Sequence, residues 1–285
     1  MVEDHETVAT EDRLSEPQKS PLISVISVSF NAVGTIEDTL RSVANSTYSN
    51  VEHIVIDGGS TDGTLELIKA HEAELAKWIS EPDKGIFHAM NKGLDLATGD
   101  LVTFLNADDQ HPEDALDIVA RISMKNRADI YYGEMLKSRD MNGEEKRMRV
   151  RPDLSLMPRT MGLFHPATFM SRSVFDKIGR FDERYQFSAD YDLLLRAYLA
   201  GVHFHYITEP LAIFRVGGKS GMDHRSYVEG YRILKAHDTG HQKAMRKLIL
   251  KAWVKEKLYK LTNGGELFGK RRVERRIQSK WAPSE

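Results

Sequence analysis

Four consecutive residues, Asn106, Ala107, Asp108 and Asp109, set two adjacent carboxylates and an amide directly behind the apolar run Leu101-Val102-Thr103-Phe104-Leu105. A mostly apolar run of five residues between Gly99 and His111-Pro112 is too short for a typical buried helix, so it is read as a core strand. Carboxylates at the carboxyl end of such a strand lie where open α/β sheets hold their ligands. An all-oxygen donor set there suits a hard divalent cation, Mg²⁺ or Mn²⁺, which would in turn bind a diphosphate. The same residues also fit a polar turn with an N-capping acid ahead of a helix starting at Asp114.

Other candidate groups stand at comparable places. A second apolar stretch, residues 51–56, ends at Asp57 and runs into Gly58-Gly59-Ser60-Thr61-Asp62-Gly63-Thr64. A glycine-rich turn from strand to helix can bring backbone N–H groups close to a phosphate or nucleotide, or it can simply make a compact connection. Its spacing is neither G-x-G-x-x-G nor a P-loop, which argues against dinucleotide and ATPase sites. Glu81-Pro82-Asp83-Lys84-Gly85 follows a short strand at residues 78–80. Asp190 and Asp192, in Ser188-Ala189-Asp190-Tyr191-Asp192, fall at a helix N-terminus, where capping and dipole complementarity need only one of them. Residues 213–221, with Lys219 among glycines, read as a mobile loop with a basic tip.

These groups need elements to carry them. Residues 22–30, LISVISVSF, are β-branched and almost continuously apolar, the signature of a parallel strand covered on both faces. Thr35 with Asp38 resembles a capping box for a helix with Ile36, Leu40, Val43 and Ala44 on one face. After Gly85, the spacing of Ile86, Met90, Leu94 and Ala97 predicts a helix that packs on the core and ends at Gly99. Three strand–helix units before residue 100 predict an α/β chain with a parallel, Rossmann-like sheet. Further on, residues 114–124 read as a helix, 130–133 as a strand and 137–151 as an exposed, charged hairpin or loop. A helix capped by Ser173 with Asp176 closes at Gly179, a helix with Leu194, Leu195, Tyr198 and Leu199 inside closes at Gly201, and residues 203–207 form another strand.

With 285 residues, 41% of them apolar and 29% charged, the chain can build a sizeable soluble core. It has no cysteine, which excludes disulfides and thiolate-bound metals. The net charge of −2 hides an asymmetry: residues 231–285 hold 15 Lys/Arg against 5 Asp/Glu. Within them, Met245, Leu248, Ile249, Ala252 and Trp253 lie opposite Lys243, Lys247, Lys251 and Lys255, an amphipathic pattern that suits an anionic membrane surface or packing on the domain. Lys270-Arg271-Arg272 and Arg275-Arg276 belong to no recognisable nucleic-acid module, so no nucleic-acid partner is expected. The polar residues 1–20 read as a disordered tail without a signal-peptide core, and no window approaches about 18 consecutive apolar residues. The expected organisation is a tail (1–20), one α/β domain (21–222) and a basic helical extension (223–285), in a cytoplasmic protein peripheral to the inner face of the plasma membrane.

Seven stretches together resemble one family: SVISVSFNAVGTIEDTLRSV, HIVIDGGSTDGT, SEPDKGIFHAMNKGLDLATGD, FLNADD, HPATFMSRSVFDKIGRFDERY, SADYDLLLRAYLAG and EPLAIFRVGG. In that order they are similar to the inverting family 2 glycosyltransferases of the GT-A fold, in particular the bacterial non-processive enzymes of cell-surface polysaccharide biosynthesis. The resemblance implies a nucleotide-sugar donor, UDP- or dTDP-linked, a Mn²⁺ or Mg²⁺ cofactor, and a glycan or lipid-linked acceptor. It implies that Asp57 contacts the nucleobase, with Gly58 beside it, that the turn at Phe30 and Asn31 helps seat the nucleoside, and that Asp83 with Lys84 is a second nucleotide-pocket pair. Asn106-Ala107-Asp108 falls on the D-x-D metal motif, which makes Asp108, with Asp109, the metal ligands. Asp190 falls on the general base, with His165 and Asp192 on the acceptor side, and Lys219 is positioned to close over the diphosphate.

Three departures stand out. The first acid of D-x-D is Asn106, the usual GIYDAMNKG reads GIFHAMNKG with Phe87 and His88, and the glutamate that commonly precedes the base is Ala189. The Q-x-x-R-W motif of processive synthases is missing. A nucleotidylyltransferase shares the broad fold and metal chemistry but calls for a glycine-rich, basic turn after the first strand, which SFNAVGT is not. A catalytically inactive, membrane-associated scaffold is the other alternative, and Asn106 is the feature that favours it.

Overall fold

Strand β1 (Ile23–Ser29) is buried along its whole length. Ile23 and Val25 enter the apolar layer on one face of the sheet, Ile26 and Val28 that on the other. The computed structural model describes residues 20–141, 143–216 and 224–261; the expected N-terminal tail, Lys219 and the cluster around Arg271 fall outside them. β1 pairs in parallel with β2 (Val51–Asp57), which pairs in parallel with β3 (Lys77–Ser80), and on its other side with β4 (Leu101–Asn106). The crossovers are α1 (Ile36–Ala44), α2 (Thr64–Ala70) and α3 (Ile86–Leu96). α3 lies close on the sheet because Gly93 leaves no room for a side chain against Ile26.

Register decides where the polar residues meet. Ser29 pairs with Asp57, Asp57 with Ser80, and Val28 with Asn106. Residues distant in sequence therefore finish along one edge, the carboxyl edge of the four parallel strands.

The sheet then turns mixed. After α4 (Ala115–Lys125), β5 (Ile130–Met141) and β6 (Glu144–Val150) form a hairpin over the charge-dense stretch, and β7 (Thr168–Ser171) lies antiparallel between β4 and β5. α5 (Arg172–Ile178) and α6 (Ala189–Leu199) precede β8 (Phe204–Arg215), which runs parallel beside β5 and is longer than the five residues expected. The whole is an eight-stranded, mostly parallel sheet flanked by helices, as the α/β reading anticipated. Two expected caps differ. α5 starts behind Ser171 rather than Ser173, and the Thr35 hydroxyl donates to the Ala32 carbonyl (3.4 Å) instead of capping α1.

α7 (His224–Ala236) and α8 (Gln242–Leu261) follow. Ile233, Leu234 and Met245 lie in the same apolar layer as Ile26, Phe104 and Leu194, so both helices are packed into the domain. Among the described residues no helix is long and apolar enough to cross a membrane.

Candidate active site

Asp57, the last residue of β2, is fully buried and accepts hydrogen bonds from three directions. One oxygen accepts the hydroxyls of Ser29 (2.9 Å) and Ser60 (2.5 Å). The other accepts the backbone N–H groups of Gly59 (3.2 Å) and Ser60 (2.9 Å) and the Ser80 hydroxyl (2.7 Å). Burial raises its pKa, but the Ser60, Ser80 and Ser29 donors outweigh burial and hold the carboxyl below its ordinary value. Three strand ends are thus tied to one charge.

Beside it, a Cβ on Gly58 would stand 2.5 Å from Oδ2 of Asp83 and 3.4 Å from the Phe30 ring. Gly58 is buried and lets the partly exposed Asp83 lie directly against it, with the Phe30 ring, 54% exposed, alongside. A flat aromatic face next to a carboxylate acceptor can seat a planar ring that carries N–H donors. Asp57 itself is enclosed within the turn, and Asp83 is the acid nearer the surface. Asp83 also accepts the Gly85 N–H (2.8 Å), which fixes the start of α3, and Lys84 beside it is exposed.

The turn behind Phe30 is locked to the glycine-rich turn. Asn31, at φ 49°, donates its N–H to the Ser60 hydroxyl (2.8 Å) and accepts the Thr61 N–H on Oδ1 (2.9 Å). Asp62 accepts the Val33 N–H (3.1 Å) and the Thr64 hydroxyl (2.5 Å).

Asn106 ends β4 on the face that carries Val102 and Phe104. Its Nδ2 donates to Oδ2 of Asp109 (3.4 Å), which leaves Oδ1 buried with no hydrogen-bond partner. Asp109 is fully buried: its carbonyl accepts the Thr39 hydroxyl (2.8 Å), and a carboxylate oxygen accepts the Arg215 N–H (3.4 Å). Burial, and after it the charge of Asp108, push the Asp109 carboxyl well above the carboxylate range. Ala107 is buried and Asp108 partly exposed. An orphaned amide oxygen near a partly exposed carboxylate matches the oxygen chemistry of a hard divalent cation, whose remaining ligands are water or phosphate oxygens. Among the described residues no three His, Asp or Glu side chains form a metal site by themselves. Asn106 and Asp108 therefore fit a cation shared with a bound ligand, with the expected ligand Asp109 enclosed behind them.

Asp190 is the second residue of α6 and accepts the Tyr191 N–H (2.8 Å). Burial, with a smaller push from the charge of Glu229, lifts its pKa to about 6 against the pull of the Tyr191 amide. Such a carboxylate is ionised near neutrality and still takes up a proton readily, which is what a general base requires. Its neighbours Ala189 and Tyr191 pack in the same apolar layer as Phe104, so Asp190 and Asn106 belong to one face of the sheet.

His165 opens the turn before β7, its ring stacked on Phe104 (5.4 Å) and edge-on to Phe181 (5.6 Å). Burial lowers its pKa to about 4, so it is neutral, and its Nε2 is buried without a hydrogen-bond partner. Asp192 has both oxygens engaged, by Arg196 (2.8 Å) and His237 (2.8 Å), and joins α6 to the residue that follows α7. Phe87 is a core residue against Phe181 (5.4 Å), while His88 is partly exposed. Sequence reasoning passed over Glu229, an acid of α7 that no local motif marks.

Residues 24–179 match the family model of Glycosyl transferase family 2. The chain belongs to that family. This family 2 glycosyltransferase is 33% identical over 238 residues to an uncharacterized glycosyltransferase of Mycobacterium tuberculosis, covering 75% of this chain and 88% of the relative. It is 32% identical over 184 residues to a PGL/p-HBAD biosynthesis glycosyltransferase of Mycobacterium bovis, covering 63% and 70%. Its fold is shared with S. aureus TarS 1-349 in complex with UDP-GlcNAc, at a TM-score of 0.61 and 18% identity over 91% of this chain and 78% of that one. It is shared also with mannosyltransferase PcManGT from Pyrobaculum calidifontis in complex with GDP-Man and Mn²⁺, at 0.56 and 18% over 93% and 86%. The transferase thus has the GT-A architecture, with Phe30, Asp57, Asn106 and Asp108 along the carboxyl edge of its parallel strands.

Proposed function

We propose that this transferase moves one sugar from a UDP- or dTDP-linked donor to a lipid-linked or growing surface-glycan acceptor, with inversion at the anomeric carbon. Asp190 carries the reading: a partly buried carboxylate with a pKa of about 6, on the sheet face where the orphaned oxygen of Asn106 ends β4. The acceptor hydroxyl oxygen bonds to the anomeric carbon as the bond from that carbon to the diphosphate oxygen breaks. Its proton passes to Asp190 and the diphosphate departs as an anion. No covalent intermediate is needed.

Phe30, Asn31, Gly58, Asp83 and Lys84 seat the nucleoside, with Asp57 holding the turns that carry them. Asn106 and Asp108, backed by Asp109, hold a Mn²⁺ or Mg²⁺, which when bound supplies positive charge to the diphosphate. Structural neighbours solved with UDP-GlcNAc and GDP-Man support a nucleotide-sugar donor, and a relative's role in PGL/p-HBAD biosynthesis supports a biosynthetic transfer. His165 lies on the acceptor side, and α8 lies against an anionic membrane.

Calorimetric titration of UDP, dTDP and GDP, with and without Mn²⁺, tests this. The expected result is metal-dependent binding of UDP or dTDP that is lost in Asp108→Ala. No binding of any of the three under either condition overturns the donor site.

A further inference from the structure

We infer that Glu229 is a positioning residue for the catalytic base: from α7, its buried carboxylate holds the loop from which Asp190 and its helix begin. The inference rests on Asp190 being the base and adds to that reading a residue that no motif assigns.

The geometry is specific. Glu229 is 7% exposed and accepts three consecutive backbone N–H groups, those of Gln186 (2.9 Å), Phe187 (2.7 Å) and Ser188 (3.0 Å). α6 has no side-chain cap of its own: the hydroxyl of its N-cap residue, Ser188, donates instead to the Ser226 carbonyl of α7 (3.1 Å). The Arg225 guanidinium lies over the Phe187 ring at 4.4 Å. Residues 186–188 are therefore suspended from one side of α7, and Asp190 follows two residues later. A carboxylate that receives three amide N–H groups is a strong, charge-assisted anchor, and removing it strands three donors at once.

A second consequence is electrostatic. The negative charge of Glu229 disfavours the ionised form of Asp190. Of the other charged groups of these two helices, Asp192 is engaged by Arg196 and His237, Arg225 lies over Phe187, and Arg232 and Lys235 are exposed at the surface of α7. Glu229 thus fixes where the base stands and helps set the pH at which it works.

The test compares full-length wild type with Glu229→Gln, Glu229→Ala and Asp190→Asn. Turnover is read as nucleoside diphosphate released from a panel of UDP- and dTDP-sugars, binding as UDP titrated with Mn²⁺, and loop order as amide exchange at residues 186–188. In Glu229→Gln, which keeps the shape and loses the charge, the acid limb of kcat/KM moves to lower pH and kcat falls about tenfold, with UDP affinity unchanged. In Glu229→Ala, kcat falls roughly 100-fold, as displacement of a catalytic group by about 1 Å would give, and the three amides exchange faster. A merely structural role would lower stability and UDP affinity together and leave the acid limb in place, and that result overturns the proposal. If Asp190→Asn is inactive while both Glu229 variants keep wild-type kcat and acid limb, the positioning role falls alone. If Asp190→Asn keeps turnover, the base assignment fails first and takes this inference with it.

Discussion

If Asp190 is the base proposed above, function and stability pull apart at this residue. Its folded-state pKa of about 6 lies above that of an unfolded chain, so between about pH 4 and 6 the folded state binds more protons. Stability therefore falls as pH rises through that window and stays lower above it. Asp190→Asn keeps an acceptor for the Tyr191 N–H and carries no buried charge. We expect it to lose turnover by at least about 10²-fold while still binding UDP. In denaturant melts at pH 8 it should be more stable than wild type by about 1–2 kcal/mol, a gain that fades to nothing below about pH 4. Retained turnover contradicts the base role, and a pH-independent stability difference contradicts the buried-charge account. The two acids show what sequence spacing can tell. Both Asp190 and Asp192 suit a helix N-terminus, and the Arg196 partner of Asp192 is readable four residues on. Its other partner, His237, lies 45 residues away. No local pattern contains that contact; packing clamps both oxygens of Asp192, while Asp190, the proposed base, accepts the Tyr191 N–H.

At the scale of elements, the carboxyl edge works because parallel strands of matched register stop together. The apolar runs and glycine-rich turns made β1, β2, β4 and their crossover helices legible, since a strand covered on both faces has to be apolar throughout. What joins their ends was not legible. Asp57 draws on Ser29 from β1 and Ser80 from β3, residues that read locally as minor polar breaks in their strands. The long β8 was hidden for a related reason: partnered by β5 and bulged near Pro210, it has no clean alternation. Asp57→Ala should remove one acceptor shared by two amides and three hydroxyls, at a cost of about 3 kcal/mol, with the loss seen as a lower denaturation midpoint. The contribution is present above the usual carboxylate range and is lost as pH falls, because this pKa is held down. UDP affinity should drop in the same variant, since Phe30, Gly58 and Asp83 lose their common support. A variant of wild-type stability would show that the turns hold without that charge.

For the whole molecule, the C-terminal helices bear on where the enzyme works. The sequence left α8 between a bilayer and the protein surface, because a single amphipathic stripe fits either. The structure separates two stripes. Met245, Leu248 and Ile249 pack on the domain, whereas Leu250, Trp253 and Val254 are 62%, 44% and 41% exposed. The second set repeats the first five residues later, a rotation of about 140° at 100° per residue, so Trp253 belongs to the outward stripe. Lys247 and Lys251 are exposed beside it. Apolar side chains flanked by lysines on an outer face suit the interface of an anionic bilayer, where charge draws the helix in and apolar burial retains it. Vesicle co-sedimentation should therefore show binding to anionic and not to zwitterionic lipid, weakening as salt is raised. Each apolar side chain buried in the interface contributes about 1.5–3 kcal/mol, so Leu250→Ser with Trp253→Ser should weaken binding by tenfold or more. Leu250 is 62% exposed, so Leu250→Ser by itself should weaken vesicle binding and leave the melting midpoint and UDP binding unchanged. If wild type fails to bind anionic vesicles at low salt, the outward stripe serves something other than a membrane, and the acceptor must reach Asp190 without the enzyme docking on a lipid surface.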